Sequence, residues 1–228
     1  MIWNKLNARA IRALFSLVFI LSAGIIIFSN NINYASLLYP PIPDSHYQMI
    51  TDAVDHCQVP REMRGFIASV ARAESGFRPG AASGAGAVGV MQLLRATGYG
   101  VAVNYGISGL NASTFTDPAI SYKMGTCYIH YIMGKYSGGA DKAQWNNPEY
   151  LKAVMIGYNA GPAKGQSYLN GGSSYPSSSL AYANKIIGST AAYTTDFVQW
   201  ELRQASGEAA TPDSVRATIW RYLIGSQP

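Results

Sequence analysis

The sequence has few charged residues, and no acidic residue precedes Asp44. Asp, Glu, Lys and Arg make up 13% of the 228 residues, whereas 48% of the residues are hydrophobic. This composition excludes a chain that is disordered over long stretches, and the length is sufficient for a domain with a real hydrophobic core. We therefore expect one globular domain with short additional segments.

The formal charge of +5 is concentrated at the N-terminus, where Lys5, Arg9 and Arg12 lie. Without these three residues the chain has 14 basic and 12 acidic residues. The rest of the sequence lacks a stripe of Lys and Arg of the kind that binds phosphate backbones. The sequence therefore predicts no nucleic-acid partner.

A single long apolar run, residues 13–28, follows this basic flank. As a helix it would extend about 24 Å, which is short of a ~30 Å hydrocarbon core. We interpret it as an uncleaved signal anchor or a cleaved signal peptide, with a buried core helix as a third possibility. Either export interpretation keeps the basic flank inside, brings residues 13–28 to the inner membrane and places the remainder in the periplasm. Residues 29–43, which end in a proline cluster, are predicted to be a linker.

Cysteine is also scarce, since only Cys57 and Cys127 are present. In an exported domain the two can form one disulfide, which would stabilise the fold by about 3–4 kcal/mol. Both lie on predicted helices among apolar neighbours, so two buried free thiols are the alternative.

The sequence contains no recognisable metal or cofactor signature. His46, His56 and His130 lack metal-ligand spacing with one another and with the cysteines. A phosphate-binding Gly-Lys-Ser/Thr loop is missing, as is a paired-glycine turn between strand and helix. We therefore expect no metal and no cofactor.

Turn and cap residues divide the chain into helical segments, without a run of alternating strands. The predicted helices begin at Asp44 or Ser45, Pro60, Asp117-Pro118 and Asn147-Pro148, and further helices cover residues 180–187, 196–205 and the segment after Thr211. Residues 165–179, rich in Gly and Ser, are predicted to be a polar loop. The predicted fold class is mainly α.

The helix predicted over residues 60–75 carries an acidic residue on its apolar face. Its apolar positions recur at three-to-four spacing: Met63, Phe66, Ile67 and Val70. The same stripe continues to Glu74, in the last turn. Partial burial and the negative end of the helix dipole should both raise the pKa of this carboxyl, as a general acid requires. A glutamate turned out to solvent at a frayed helix end is the alternative.

Small residues fill the segment that follows Glu74. Its glycines are Gly76, Gly80, Gly84, Gly86 and Gly89. Glycine lets the backbone approach a ligand closely and adopt positive φ. This segment favours a groove that admits an extended polymer, whereas a flexible surface loop is the alternative.

Three blocks of the sequence resemble the motifs of the soluble-type (family 1) lytic transglycosylases. The family pattern Glu-Ser, then Ser, then Gly-Ala-x-Gly-Leu-Met-Gln is matched by Glu74-Ser75, Ser83 and residues 86–92, GAVGVMQ. The family block Ala-Tyr-Asn-Ala-Gly is matched by residues 157–161, GYNAG. A weaker third block places Tyr182 after a polar pair, with Ser178 where the family has glutamate. The resemblance covers about residues 45–190 and implies a lysozyme-like fold.

The resemblance also implies a reaction and a set of site residues. Glu74 would protonate the oxygen between N-acetylmuramic acid and N-acetylglucosamine and then act as a base, giving a 1,6-anhydro product. The residues expected to bind the glycan strand are Ser83, Met91, Gln92 and Asn159. Tyr158 and Tyr182 would orient Glu74 or line the groove, although Tyr158 also continues a core stripe of its helix.

The implied organisation is a transglycosylase domain over residues 44–193, with a C-terminal helical extension over residues 194–228 packed on it. The small size resembles family members that serve conjugation, secretion or pilus machines, whose components are candidate partners. A lysozyme-type hydrolase is one alternative, and it would need a second carboxylate such as Asp117. An inactive peptidoglycan-binding assembly factor is the other.

Overall fold

A computed structural model describes residues 39–206 of the chain. The apolar run at residues 13–28 and the helix predicted after Thr211 both lie outside the described residues. Within residues 39–206, we find no helix that is long and apolar enough to cross a membrane.

Helices dominate the described part of the chain, which confirms the mainly α prediction. The helices are α1 (Asp44–His56), α2 (Arg64–Ser75), α3 (Arg95–Tyr105), α4 (Pro118–Ser137), α5 (Pro148–Ala160), α6 (Pro162–Leu169) and α7 (Ser177–Ser206). Short 3-10 turns lie at Arg61–Met63, Thr114–Thr116 and Ala140–Lys142. Two short strands, β1 (Ala87–Val88) and β2 (Leu93–Leu94), pair antiparallel with Ala87 opposite Leu94.

Prolines and polar caps set the starts of α4 and α5, as the sequence predicts. Pro118 opens α4, and the Asp117 side chain accepts a hydrogen bond from the Ile120 amide at 2.9 Å. Pro148 opens α5, and the Asn147 side chain accepts one from the Glu149 amide at 3.0 Å. Because proline lacks the amide that a first turn leaves unpaired, both helices begin without losing a hydrogen bond.

Helix α2 lies in the core, and its predicted apolar stripe is buried. Phe66, Ile67 and Val70 are fully buried, and Met63 is nearly so. The helix packs against α7, and at Gly65 the two backbones are very close. A Cβ at Gly65 would lie 2.2 Å from the Thr194 hydroxyl oxygen, so only glycine permits this approach.

A disulfide joins Cys57, at the end of α1, to Cys127 in α4. Both residues are buried, and α1 packs against α4 along this link. Of the two alternatives that the sequence leaves open, the structure therefore has the disulfide and not the free thiols.

The polar loop predicted at residues 165–179 is wrong at both ends, because residues 165–169 belong to α6 and residues 177–179 to α7. Gly161, with φ 95°, reverses the chain after α5, and Pro162 starts the new helix at once. Gly165 is buried, and a Cβ there would lie 2.2 Å from the Ala153 carbonyl oxygen. This glycine allows close contact between two helices, whereas the sequence suggested a flexible turn.

Two further helical predictions need correction. Helix α3 was not expected, because Gly98 and Gly100 lower helix propensity there. Gly98 is buried against Phe115 and Met124, so tertiary packing stabilises the helix. The separate helices predicted at residues 180–187 and 196–205 are one continuous helix, α7. The domain boundary proposed after residue 193 therefore lies inside a helix.

Candidate active site

Glu74 lies in the last turn of α2, at the end of the buried stripe. The helix ends at Gly76, whose φ of 63° is left-handed, and the Gly76 amide donates to the Arg72 carbonyl at 3.1 Å. Burial raises the pKa of the Glu74 carboxyl above its ordinary value. The glutamate is only partly exposed, so it does not turn out fully to solvent.

Tyr182, which lies far from Glu74 in the sequence, contacts the Glu74 carboxyl. Its hydroxyl donates a hydrogen bond to Oε1 of Glu74, although the two residues are 108 positions apart. This bond favours the carboxylate and so opposes the effect of burial on the pKa of Glu74. Burial and the nearby Glu74 carboxyl raise the pKa of Tyr182 well above its ordinary value, so the phenol stays a donor.

Tyr158 connects helix α5 to the motif segment. Its hydroxyl donates to the Met91 carbonyl oxygen at 2.6 Å, and its ring packs against the core. Burial, followed by the charge of Glu74, raises the pKa of Tyr158 well above its ordinary value. The structure therefore has the core packing of Tyr158, whereas its orienting of Glu74 or lining of a groove stays a prediction.

Two serines fix the other side of the same segment. Ser75 is buried, and its hydroxyl donates to the Val90 carbonyl at 2.7 Å. The Met91 amide donates to the Ser121 hydroxyl oxygen at 3.1 Å. Residues 90–91 are thus tied to α2, α4 and α5 together, which sets their position relative to Glu74.

Met91, which was predicted to bind substrate, has no exposed side chain with which to do so. Met91 is fully buried, and its side chain fills the space above Gly125 in α4. A Cβ at Gly125 would lie 2.6 Å from the Met91 Cβ. The main chain of Met91 is held by Tyr158 and Ser121, and substrate binding by this residue stays a prediction.

Ser83 and Gln92, both predicted to bind substrate, stabilise the motif segment in the structure. The exposed Ser83 hydroxyl accepts from the Ala87 amide at 3.0 Å. The Gln92 side-chain amide donates to the carbonyls of Ala81 and Gly89, each at 2.9 Å. Gln92 also has a left-handed φ of 47°. Both side chains thus fix the conformation of the motif segment.

Asn159 is exposed at the end of α5, next to Tyr158. Its Oδ1 accepts a hydrogen bond from the buried Ser179 hydroxyl at 2.7 Å. With Oδ1 held in this way, the amide group of Asn159 can offer donors to a ligand. Substrate binding by Ser83, Gln92 and Asn159 stays a prediction.

Asp117, the predicted second carboxylate of a hydrolase, is occupied elsewhere because its side chain caps α4. Among the described residues, no other carboxylate contributes to the pKa shift of Glu74. Residues 39–206 also contain no group of three or more His, Cys, Asp or Glu side chains that could hold a metal. Within the described residues the site therefore has one carboxyl, that of Glu74, which accepts from Tyr182, while Tyr158 donates to the Met91 carbonyl.

Sequence reasoning gave no role to Ser75, Ser121 and Ser179, which support the site. Ser75 directly follows Glu74, and Ser179 lies three positions before Tyr182, so both stand inside the motif blocks. Their positions in the sequence could therefore have indicated a role in the site. Ser121 has no such signal, because its partner Met91 is 30 positions away.

Comparison with known proteins agrees with this geometry. The Transglycosylase SLT domain family matches residues 57–180, which is more than half of the chain. The chain therefore belongs to the Transglycosylase SLT domain family, as the motif blocks predict.

The relatives are similar in sequence and fold over one part of their length. The soluble lytic murein transglycosylase of Escherichia coli (strain K12) is 24% identical over 159 residues, covering 69% of this chain and 23% of the relative. The crystal structure of the 70 kDa soluble lytic transglycosylase from Escherichia coli matches with a TM-score of 0.50 and 20% identity, covering 77% of this chain and 26% of that one. An inactive mutant of lytic transglycosylase Slt from Pseudomonas aeruginosa matches with a TM-score of 0.50, 17% identity and the same coverage. The chain spans about a quarter of the length of these proteins, and the structural matches support the predicted lysozyme-like fold.

Proposed function

We propose that this protein is a peptidoglycan lytic transglycosylase. It cleaves the β-1,4 bond between N-acetylmuramic acid and N-acetylglucosamine without water and leaves 1,6-anhydro ends on the glycan strand. The observation that carries the proposal is the lone Glu74 carboxyl, whose pKa burial raises and whose Oε1 accepts from Tyr182. The family match supports the same activity.

In the proposed reaction Glu74 acts twice. As an acid it gives its proton to the oxygen that leaves with N-acetylglucosamine. The N-acetyl group of the muramoyl sugar supports the positive charge that develops at its anomeric carbon. As a base, Glu74 then takes the proton of the muramoyl 6-hydroxyl, whose oxygen forms the new bond to the anomeric carbon. A raised pKa suits the first step, and the Tyr182 hydrogen bond supports the carboxylate that the second step needs.

The geometry favours this route over lysozyme-type hydrolysis. Retaining and inverting hydrolases generally place a second carboxylate across the bond, within about 10 Å of the first. Asp117 caps α4 instead, and the described residues place no second carboxylate charge on Glu74. A mere binding role would not need a buried acid with a tyrosine donor.

We also propose that the domain works in the periplasm, held at the inner membrane by residues 13–28 or released after cleavage of that segment. The Cys57–Cys127 disulfide supports an oxidising compartment. The proposed biological role is local opening of the wall for an envelope-spanning conjugation, secretion or pilus machine.

The decisive experiment is digestion of purified sacculi with the full-length protein, followed by mass spectrometry of the products. We expect muropeptides lighter than their hydrated counterparts by one water, and a loss of about 10²–10⁴-fold in rate for Glu74→Gln. Glu149→Gln is the matched control, because Glu149 also accepts from a tyrosine, Tyr168, but at the surface. Hydrated, reducing products would instead identify a hydrolase.

The same variant tests the burial of Glu74 through stability. Because the folded pKa of Glu74 is raised, the folded state binds its proton more tightly than the unfolded state, and stability falls as pH rises between the unfolded and folded pKa values. Glu74→Gln should therefore have a higher Tm than the wild type at neutral pH, and the difference should shrink in acid. A Tm difference that does not depend on pH would contradict this assignment.

A further inference from the structure

A row of tyrosine rings extends from the candidate active site to the surface. The Tyr158 ring centroid lies 5.5 Å from that of Tyr128. Tyr128 in turn stacks on Tyr131, with 6.3 Å between centroids and 11° between ring planes. Tyr131 is 44% exposed, so the row that begins beside Glu74 ends in solvent.

Helix α4 places these rings in order. Met124, Tyr128 and Tyr131 lie at three-to-four spacing and so share one face of the helix. Met124 is covered by Leu93 and Phe115, and Tyr128 packs at the edge of that cluster. Tyr131 lies one turn further along, where this cover ends and the ring is exposed.

Helix α3 supports the same end of the row. The Tyr105 hydroxyl hydrogen-bonds to Nδ1 of His130 at 2.9 Å, next to Tyr131 in the sequence. After burial, the phenol of Tyr131 is the second cause that raises the pKa of both Tyr105 and Tyr128. The phenols of Tyr105 and Tyr128 therefore both lie near the exposed phenol of Tyr131.

We propose that Tyr131, backed by Tyr128, is a subsite that binds a sugar of the glycan strand away from the bond that is cleaved. This inference rests on the proposed function. A pyranose ring with equatorial substituents has an apolar C–H face that can stack on a phenol ring, and its hydroxyls can pair with phenol hydroxyls at the ring edge. Stacking buries the apolar area of Tyr131 that folding leaves in water.

Two observations favour a sugar over a protein partner. The ring contacts run from Tyr131 through Tyr128 to Tyr158, which places Tyr131 in the same cluster of rings as the proposed cleavage site. The exposed ring of the row is also a single one, Tyr131, whereas protein interfaces bury far larger areas, about 800 Å² on each partner. A narrow aromatic platform suits one sugar ring.

The test is calorimetric binding of N-acetylglucosamine oligomers of two, four and six sugars to full-length Glu74→Gln protein. We expect affinity to increase with length, and Tyr131→Ala to weaken the longest oligomer about tenfold, equivalent to about 1.4 kcal/mol. Binding of the disaccharide should not change. Tyr131→Phe should retain the affinity, because its ring still stacks. Tyr99→Ala is the matched control, since Tyr99 is also 44% exposed and packs on Phe115.

The proposal is overturned if affinity does not increase with length, if Tyr131→Ala weakens all lengths equally, or if Tyr99→Ala has the same effect. Failure of the proposed reaction has a separate signature, because wild-type protein would then give no 1,6-anhydro products from sacculi. Length-dependent loss without anhydro products would support the subsite and reject the reaction. Anhydro products without a length-dependent loss of affinity would support the reaction and reject the subsite.

Discussion

The two ends of the glycine-rich segment that follows Glu74 have similar compositions but different surroundings. A Cβ added at Gly80, Gly84 or Gly86 would meet no atom within 4 Å. At Gly89 it would lie 2.3 Å from the Phe115 carbonyl oxygen and 2.7 Å from the Ser121 hydroxyl oxygen. The outer end is open, whereas the inner end is packed against the protein core.

This difference shows that the glycines of one motif serve two physical purposes. At the outer end no neighbouring atom lies where a side chain would extend, so the segment is open to its surroundings. At the inner end the lack of a side chain lets the backbone come close enough for Ser75 and Tyr158 to bond to residues 90 and 91. The inner end is therefore fixed by packing and hydrogen bonds, and the outer end is free of close neighbours.

Gly89→Ala should have the largest effect on stability. Gly89 has a φ of 81°, which strains any other residue, and its Cβ would also collide with backbone. We expect a loss of about 3 kcal/mol or more in the free energy of unfolding, measured by urea titration. Gly84→Ala, at the open end, should change it by less than about 0.5 kcal/mol. Equal losses for the two variants would remove the distinction between the ends.

Tyr158→Phe should have the second largest effect on stability, because it removes the donor to the buried Met91 carbonyl. An unpaired buried carbonyl costs about 1–3 kcal/mol, so the same titration should show a loss in that range. The cleavage rate should fall too, since residues 90–91 lose a link beside Glu74. Tyr99→Phe, a change of the same kind at a half-exposed ring, should leave both quantities unchanged.

Tyr182→Phe should affect the reaction more than the fold, because Tyr182 contacts Glu74 directly and neither end of the segment. Loss of a hydrogen bond to a charged group predicts a rate about 10- to 100-fold lower. The pKa of Glu74 should rise further, so the decline of kcat/KM at high pH should move to higher pH. A pH–rate profile beside Tyr168→Phe, which removes a similar bond to Glu149 at the surface, measures both effects. An unshifted profile would mean that Tyr182 does not act on the acid.

The smallest effect should be that of Ser83→Ala at the outer end. Its hydroxyl accepts from an exposed turn amide, so we expect a stability loss below about 0.5 kcal/mol. Ser75→Ala at the inner end should cost about 1–3 kcal/mol, because Ser75 is buried and pairs with Val90. Thermal unfolding of the two variants compares the ends with the same substitution. A larger loss for Ser83→Ala would reverse the assignment of open and packed ends.

Much of the fold was accessible from local sequence signals. The stripe from Met63 to Val70 and the Asp-Pro and Asn-Pro starts of α4 and α5 depend on neighbouring residues, and the structure has each of them. Helices α3 and α6 depend on glycines that permit close packing with residues far away in sequence. Gly98 and Gly165 have the same local appearance as loop glycines, so no local rule could separate the two cases.

The candidate site, like the fold, could be predicted from the sequence only in part. The position of Glu74 at the end of a buried stripe, and its raised pKa, follow from helical periodicity and burial. The roles of Met91 and Gln92 do not, because a motif marks positions without showing whether a side chain or a carbonyl faces the groove. The Tyr128–Tyr131 pair was also missed, since tyrosines at helical spacing are common in cores.

The pairing of Glu74 with Tyr182 also has a consequence for the order of folding. The acid lies on α2, its partner lies 108 positions later on α7, and the two helices meet closely at Gly65 and Thr194. Contacts so distant in sequence form only after a long loop has closed, and they form slowly. A chain in which α7 has not yet packed against α2 therefore carries the Glu74 carboxyl without its tyrosine partner, and the Glu74–Tyr182 pair forms only when α7 docks.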